Sequence, residues 1–161
     1  MASTEGQSNL TSEPIDDPKI SCRSLTDEEQ GVLLSHRTRL RDLVGDSAEP
    51  ITASELDAAW SRWQSSASIQ TNLDVSAFGI GLGDELVRLL GFTWQHCTDA
   101  YGDGLAVIAL PGKADVTVYP EDFVSKRHER SEGAFFGEAI KQIGTTLSEM
   151  SDPTPVSRTP G

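Results

Sequence analysis

The sequence predicts an α+β fold: N-terminal helices, a three-stranded antiparallel meander, and C-terminal helices packed on the sheet. Three observations carry that expectation. Apolar residues recur at helical spacing as far as Leu90, the period shortens to two between Phe92 and Tyr119, and helical spacing returns after Pro120. The linkers between consecutive strands are also short, as antiparallel neighbours allow and parallel ones do not.

The first helix opens on a capping box, with Thr26 as N-cap and Glu29 three residues on. Asp27 and Glu28 lie at its positive end, Arg37, Arg39 and Arg41 lie toward the other, and Gly45 stops it. A second helix starts near Thr52 or Ser54, each followed by an acid three residues later, and places Leu56, Ala59, Trp60, Trp63 and Ala67 on one stripe. Two tryptophans one turn apart are expected to anchor a core. Asp74 is read as the cap of a third helix, whose expected buried face is Val75, Phe78, Leu82, Leu86, Leu89 and Leu90, with Gly91 as its end. Strands are expected over residues 92–98, 105–110 and 115–119, separated by the turn DAYGDG and by Pro111-Gly112. Trp94 shares a strand face with Phe92 and is expected to be a structural anchor. Pro120 fits the first turn of a helix that ends near Arg130; a break at Ser131, Glu132 and Gly133 precedes the last helix.

At 161 residues the chain has the size of one domain. Residues 1–24 and 151–161 are polar and proline-rich and read as disordered tails around a single domain over 25–150. The formal charge is −12, and residues 50–150 alone carry 14 acidic against 7 basic side chains. Acidity therefore belongs to the domain and not to a tail. It makes DNA, RNA and anionic membrane poor partners and suits solubility, a basic protein partner or a divalent cation. No basic segment followed by an apolar run opens the sequence, and the apolar run at 105–110 is too short to cross a bilayer, so the expected location is cytoplasmic. Cys22 and Cys97, 75 positions apart, show no CxxC or Cys/His spacing. Cys22 is assigned to the tail and Cys97 to a strand as a small hydrophobe; a disulfide between them stays open.

Chemistry-bearing patterns are sparse. The alternating glycines at 79, 81 and 83 lack the preceding strand and spacing of a phosphate loop, and Asp84 and Glu85 would repel a phosphate. Gly79 and Gly83, four apart, instead allow close approach on one helix face. His96 and Cys97 are adjacent strand residues on opposite faces and make a poor nucleophile–base pair. His36, His96 and His128 share no metal motif. Asp99, Asp103 and Asp115 border turns, where a weak cation site stays open, but EF-hand spacing is missing, and no metal motif and no cofactor is expected. Lys126 and Arg127 belong to the one basic cluster in an acidic chain, read as a helix end, an anion site or an ion pair of Arg127 with Asp99 or Asp103.

The run LGFTWQHCTDAYGDGLAVIAL followed by VYPEDFVSKRHERSEGAFF resembles the bacterial domain-of-unknown-function family 3806. The residues that carry the resemblance are Gly79, Gly83, Leu90, Gly91, Trp94, Asp99, Tyr101, Gly102, Pro120, Lys126 and Arg127, within roughly 50–148. It implies a compact bacterial domain with no assigned reaction and imports no catalytic residue. The expected function is a non-enzymatic interaction protein, of immunity type or otherwise partner-binding through its acidic surface. The alternative is a small-molecule or ion-binding domain using the strand-turn region and Arg127. Candidate binding residues are Arg127, Lys126, Asp99 and Tyr101. No motif sets the oligomeric state.

Overall fold

A computed structural model describes residues 20–45, 49–110 and 116–151. In chain order the elements are β1 (Ser21–Arg23), α1 (Asp27–Val44), α2 (Ala53–Ser65), α3 (Asn72–Leu90), β2 (Thr93–Asp99), β3 (Gly102–Ala109), β4 (Val116–Val118), α4 (Pro120–Glu129) and α5 (Phe136–Ser151). The class is α+β, as the periodicity requires, but the antiparallel sheet has four strands in the order β1-β2-β3-β4, and not three. The added strand comes from residues assigned to the N-terminal tail. Ser21, Cys22 and Arg23 pair antiparallel with Thr98, Cys97 and His96, and Cys22 is disulfide-bonded to Cys97. Three polar residues carry too little periodicity to be seen as a strand, and a cross-strand bond has no local signature. Residues 1–19, 152–161 and Asp115 lie outside the described residues.

Helix starts follow local chemistry. Thr26 and Thr52 form complete capping boxes with Glu29 and Glu55. The third helix starts differently from the expectation: Thr71 is its N-cap, and Asp74 is the residue it caps, at 3.2 Å. Asp74 is instead a buried charge. Its carboxylate accepts from Arg39 Nε at 2.7 Å and Trp63 Nε1 at 2.9 Å. Burial pushes this carboxyl up, but the Arg39 and Trp63 hydrogen bonds and the Arg39 charge outweigh burial and hold it below the usual range.

α3 is the central element, packed on by α1, α2, α4 and α5 and lying against β2 and β3. Its glycines Gly79, Gly81 and Gly83 are buried, Gly81 against Leu40 and Leu56 and the other two on the opposite face. A Cβ at Gly79 would stand 2.7 Å from the Glu121 Cα, and one at Gly83 would overlap the Trp94 indole. The missing side chains bring α4 and the Trp94 ring down onto α3. The C-terminal helices accordingly rest mainly on other helices, α4 on α3 and α5 on α2 and α3. That departs from the expectation that they cover the sheet.

The core is aromatic at its centre. Trp60, Phe78 and Phe136 are fully buried, and Trp60 meets Phe78, Phe135 and Phe136 edge-on at 5.0–5.8 Å between centroids. Trp60 Nε1 donates to the Glu132 carbonyl at 3.0 Å, so the ring buries no unpaired donor. Trp94 ties two layers together: it packs on the core and donates to Asp84 at 3.0 Å, and Arg37 holds the same carboxylate through a two-pronged fork at 2.8 Å. No helix among the described residues is long and apolar enough to cross a membrane.

Candidate functional site: an acidic recess beside the strand turn

The β2–β3 turn is shaped by Asp99. Its Oδ1 accepts the Tyr101 backbone N–H at 2.8 Å, the side-chain-to-backbone bond that aspartate makes readily in turns. Gly102 follows with φ +145°, a region that favours glycine. The other carboxylate oxygen accepts from the Tyr119 hydroxyl at 3.2 Å, which ties the turn to the residue preceding α4. Between turn and helix lies an open recess of about 480 Å³. Its polar lining consists of four carboxylates, Asp99, Asp103, Glu121 and Asp122, and two tyrosines, Tyr101 and Tyr119; among the described residues no cationic side chain lines it. Tyr101 is 94% exposed and stands at the rim.

The recess is electronegative, and Tyr119 registers it. Its hydroxyl is raised above the ordinary phenol value by burial, then by the charge of Asp99, the bond to Asp99 and the charge of Asp103. The carboxylates have few internal partners. Glu121 accepts from Ser76 at 3.1 Å, Asp122 pairs with Lys126 one turn along α4 at 3.2 Å, and His96 stands 3.4 Å from Asp103. Asp103 and Asp122 keep side-chain exposures of 62% and 63%. Among the described residues no three His, Cys, Asp or Glu side chains converge as a metal ion requires.

Of the four residues singled out from the sequence, Asp99 and Tyr101 lie together in the turn, and Lys126 reaches the recess only through Asp122. Arg127 is elsewhere. Its guanidinium lies 3.6 Å over the Phe123 ring, donates to the Phe123 carbonyl at 3.3 Å and faces Glu132 at 3.9 Å. The expected Arg127–Asp99 pair does not form; Asp99 is already held by Tyr101 and Tyr119. Sequence reasoning missed Tyr119, Glu121 and Asp122 as neighbours of the turn. The acid pair after Pro120 was visible but was read as helix-dipole chemistry alone.

Helices packed about α3 beside a four-stranded antiparallel sheet, with an acidic recess at a strand turn, define an α+β domain. The model of the family described as "Domain of unknown function (DUF3806)" matches residues 55–135, and the chain belongs to that family. All six polar residues lining the recess fall inside the matched stretch, whereas Cys22 falls outside it. A crystal structure of a protein from Bacteroides thetaiotaomicron VPI-5482 is similar with a TM-score of 0.60 at 12% identity, over 80% of this chain and 49% of that one. The chain thus spans about half the length of that protein, and the likeness is one of fold. No curated protein matches the chain.

Proposed function

We propose that this chain is a non-catalytic binding domain that receives the cationic groups of a basic protein partner in the recess beside the β2–β3 turn. The observation that carries this reading is the lining itself: four carboxylates and two tyrosines, with no lining cation among the described residues. A lysine or arginine side chain entering the recess would meet opposite charge, and the tyrosine rings offer faces to a cation. The net charge of −12 would steer a basic partner toward the domain and repel nucleic-acid phosphates. An immunity-type role, in which an acidic chain masks a basic one, is one form of this reading.

A second reading follows from the concavity. At about 480 Å³ the recess has the volume of a small-molecule site, so a free organic polyamine is the alternative occupant. Location enters through the disulfide. Cys22–Cys97 favours an oxidising compartment over the cytoplasm expected from the sequence, because cytosolic thiols are kept reduced.

The test is titration calorimetry of the full chain with a lysine-rich peptide and, separately, with spermine. Asp103→Asn combined with Asp122→Asn changes two exposed carboxylates and is expected to leave the melting temperature nearly unchanged. Peptide affinity is expected to fall about tenfold or more in that variant and to weaken with added salt. Equal affinity in wild type and variant would overturn the recess as the site. Tight spermine binding without peptide binding would favour the second reading.

A further inference from the structure

β1 is three residues long, stands at the edge of the sheet and has exposed residues on both sides of a half-buried Cys22. Its partner Cys97 is fully buried and lies directly opposite in the register. Apart from the disulfide, β1 is attached by three residues of strand pairing and by the Arg23 fork onto Glu29, at 2.8 and 2.9 Å. The Arg23 side chain is 51% exposed, and an ion pair so placed contributes little. A strand of this length is marginal on its own. Beyond Arg23 the chain leaves the sheet to cap α1 at Thr26, so among the described residues positions 93–95 of β2 have no partner strand on that side.

We infer that Cys22 is a thiol-exchange site and that its bond to Cys97 is a latch holding β1 on the sheet. A dithiol reductant opens it in two balanced steps. A thiolate of the reductant attacks the Cys22 Sγ; a mixed disulfide forms there, the Cys22–Cys97 bond breaks, and Cys97 leaves as a thiolate that takes a proton from water. The second thiol of the reductant, losing its proton to water, then attacks its own sulfur in the mixed disulfide. The reductant ends as an internal disulfide, Cys22 leaves as a thiolate that is protonated, and two electrons have passed to the protein. Attack falls on Cys22 because Cys97 is inaccessible. With the bond open, β1 detaches and β2 becomes the sheet edge, its backbone donors and acceptors bare from Thr93 to Asp99. The latch is independent of the recess, whose lining comes from β2, β3, α4 and their connections.

Hydrogen exchange of the full chain, oxidised and in dithiothreitol, reads the latch directly. Reduction is expected to speed exchange of residues 21–23 by about tenfold or more relative to β3 and α3, whose protection falls only by the global stability that the cross-link supplied. Cys22→Ser combined with Cys97→Ser is expected to show the same pattern without reductant. Brief exposure to glutathione followed by acid quenching is expected to place the adduct on Cys22. Unchanged protection of residues 21–23 after reduction would overturn the latch. So would a loss of protection in α2 and α3 as large as that at residues 21–23, which would show no separate opening of β1, or an adduct on Cys97.

Discussion

A methyl group added at Gly79 would meet the backbone of Glu121 at 2.7 Å, where no flexible side chain can yield. Gly79→Ala is therefore expected to cost about 1–3 kcal/mol as α4 is pushed off α3, measured by urea unfolding. Gly31, exposed within α1, has nothing within 4 Å of such a methyl. Gly31→Ala is expected to add about 0.5–1 kcal/mol, since alanine is the better helix former. The spacing of Gly79 and Gly83 was legible in the sequence as a close-approach face; what approaches it was not. Arg127 shows the same limit. A lone basic cluster in an acidic chain stood out, but a rigid guanidinium suits a carboxylate and an aromatic face alike, and only the fold decides. With Phe123 and Phe135 as its neighbours, a double-mutant cycle of Arg127→Lys with Asp99→Asn is expected to give coupling below about 0.3 kcal/mol.

Helix ends divide cleanly into those written locally and those written by the fold. The boxes at Thr26 and Thr52 need only residues three apart and were read directly. The start of α5 is capped from α2: Asp57 accepts the N–H groups of Phe136 at 2.7 Å and Gly137 at 3.2 Å. The start of α2 is likewise met from α3, where Glu85, 1% exposed and forked by Arg88, accepts the Ala53 N–H at 2.8 Å. Sequence separations of 79 and 32 residues hide such caps from any local pattern. Asp57→Ala is expected to destabilise the fold by about 1–2 kcal/mol in urea unfolding. The α1 end has a pH signature. The Arg23 hydrogen bond, followed by that of the Thr26 backbone, lowers the Glu29 carboxyl to about 2 from 4.5. A depressed carboxylate stabilises above its unfolded pKa and loses that contribution as pH falls through the folded one. The melting-temperature gap between wild type and Glu29→Gln, small because Arg23 is half exposed, is thus expected to shrink from pH 5 to pH 2.

For the whole molecule, periodicity was enough to place five helices and the three strands after Phe92, because those elements bury continuous faces. β1 escaped because it buries almost none. A chain beginning at residue 25 looks complete from composition, yet it lacks both the edge strand and the partner of Cys97. Loop-closure arguments give a cross-link spanning 75 positions an upper value of about 4.5 kcal/mol. The shortened chain is accordingly expected to melt lower than the oxidised full chain by about 5 °C or more, as scanning calorimetry would show. The acidity also resolves at this scale. Asp74, Asp84 and Glu85 are spent on arginines inside the helical layer, which leaves the recess as a place where carboxylates face water.

The covalent loop closed by Cys22 and Cys97 also has a mechanical meaning. Helices α1, α2 and α3 all lie between the two cysteines. Tension applied from before Cys22 to beyond Cys97 passes through the sulfur bridge and bypasses them. About 250 Å of chain contour is thereby withheld from extension. Under load the oxidised chain lengthens beyond Cys97, and the chain of α1, α2 and α3 can be drawn out only after the bridge is cut.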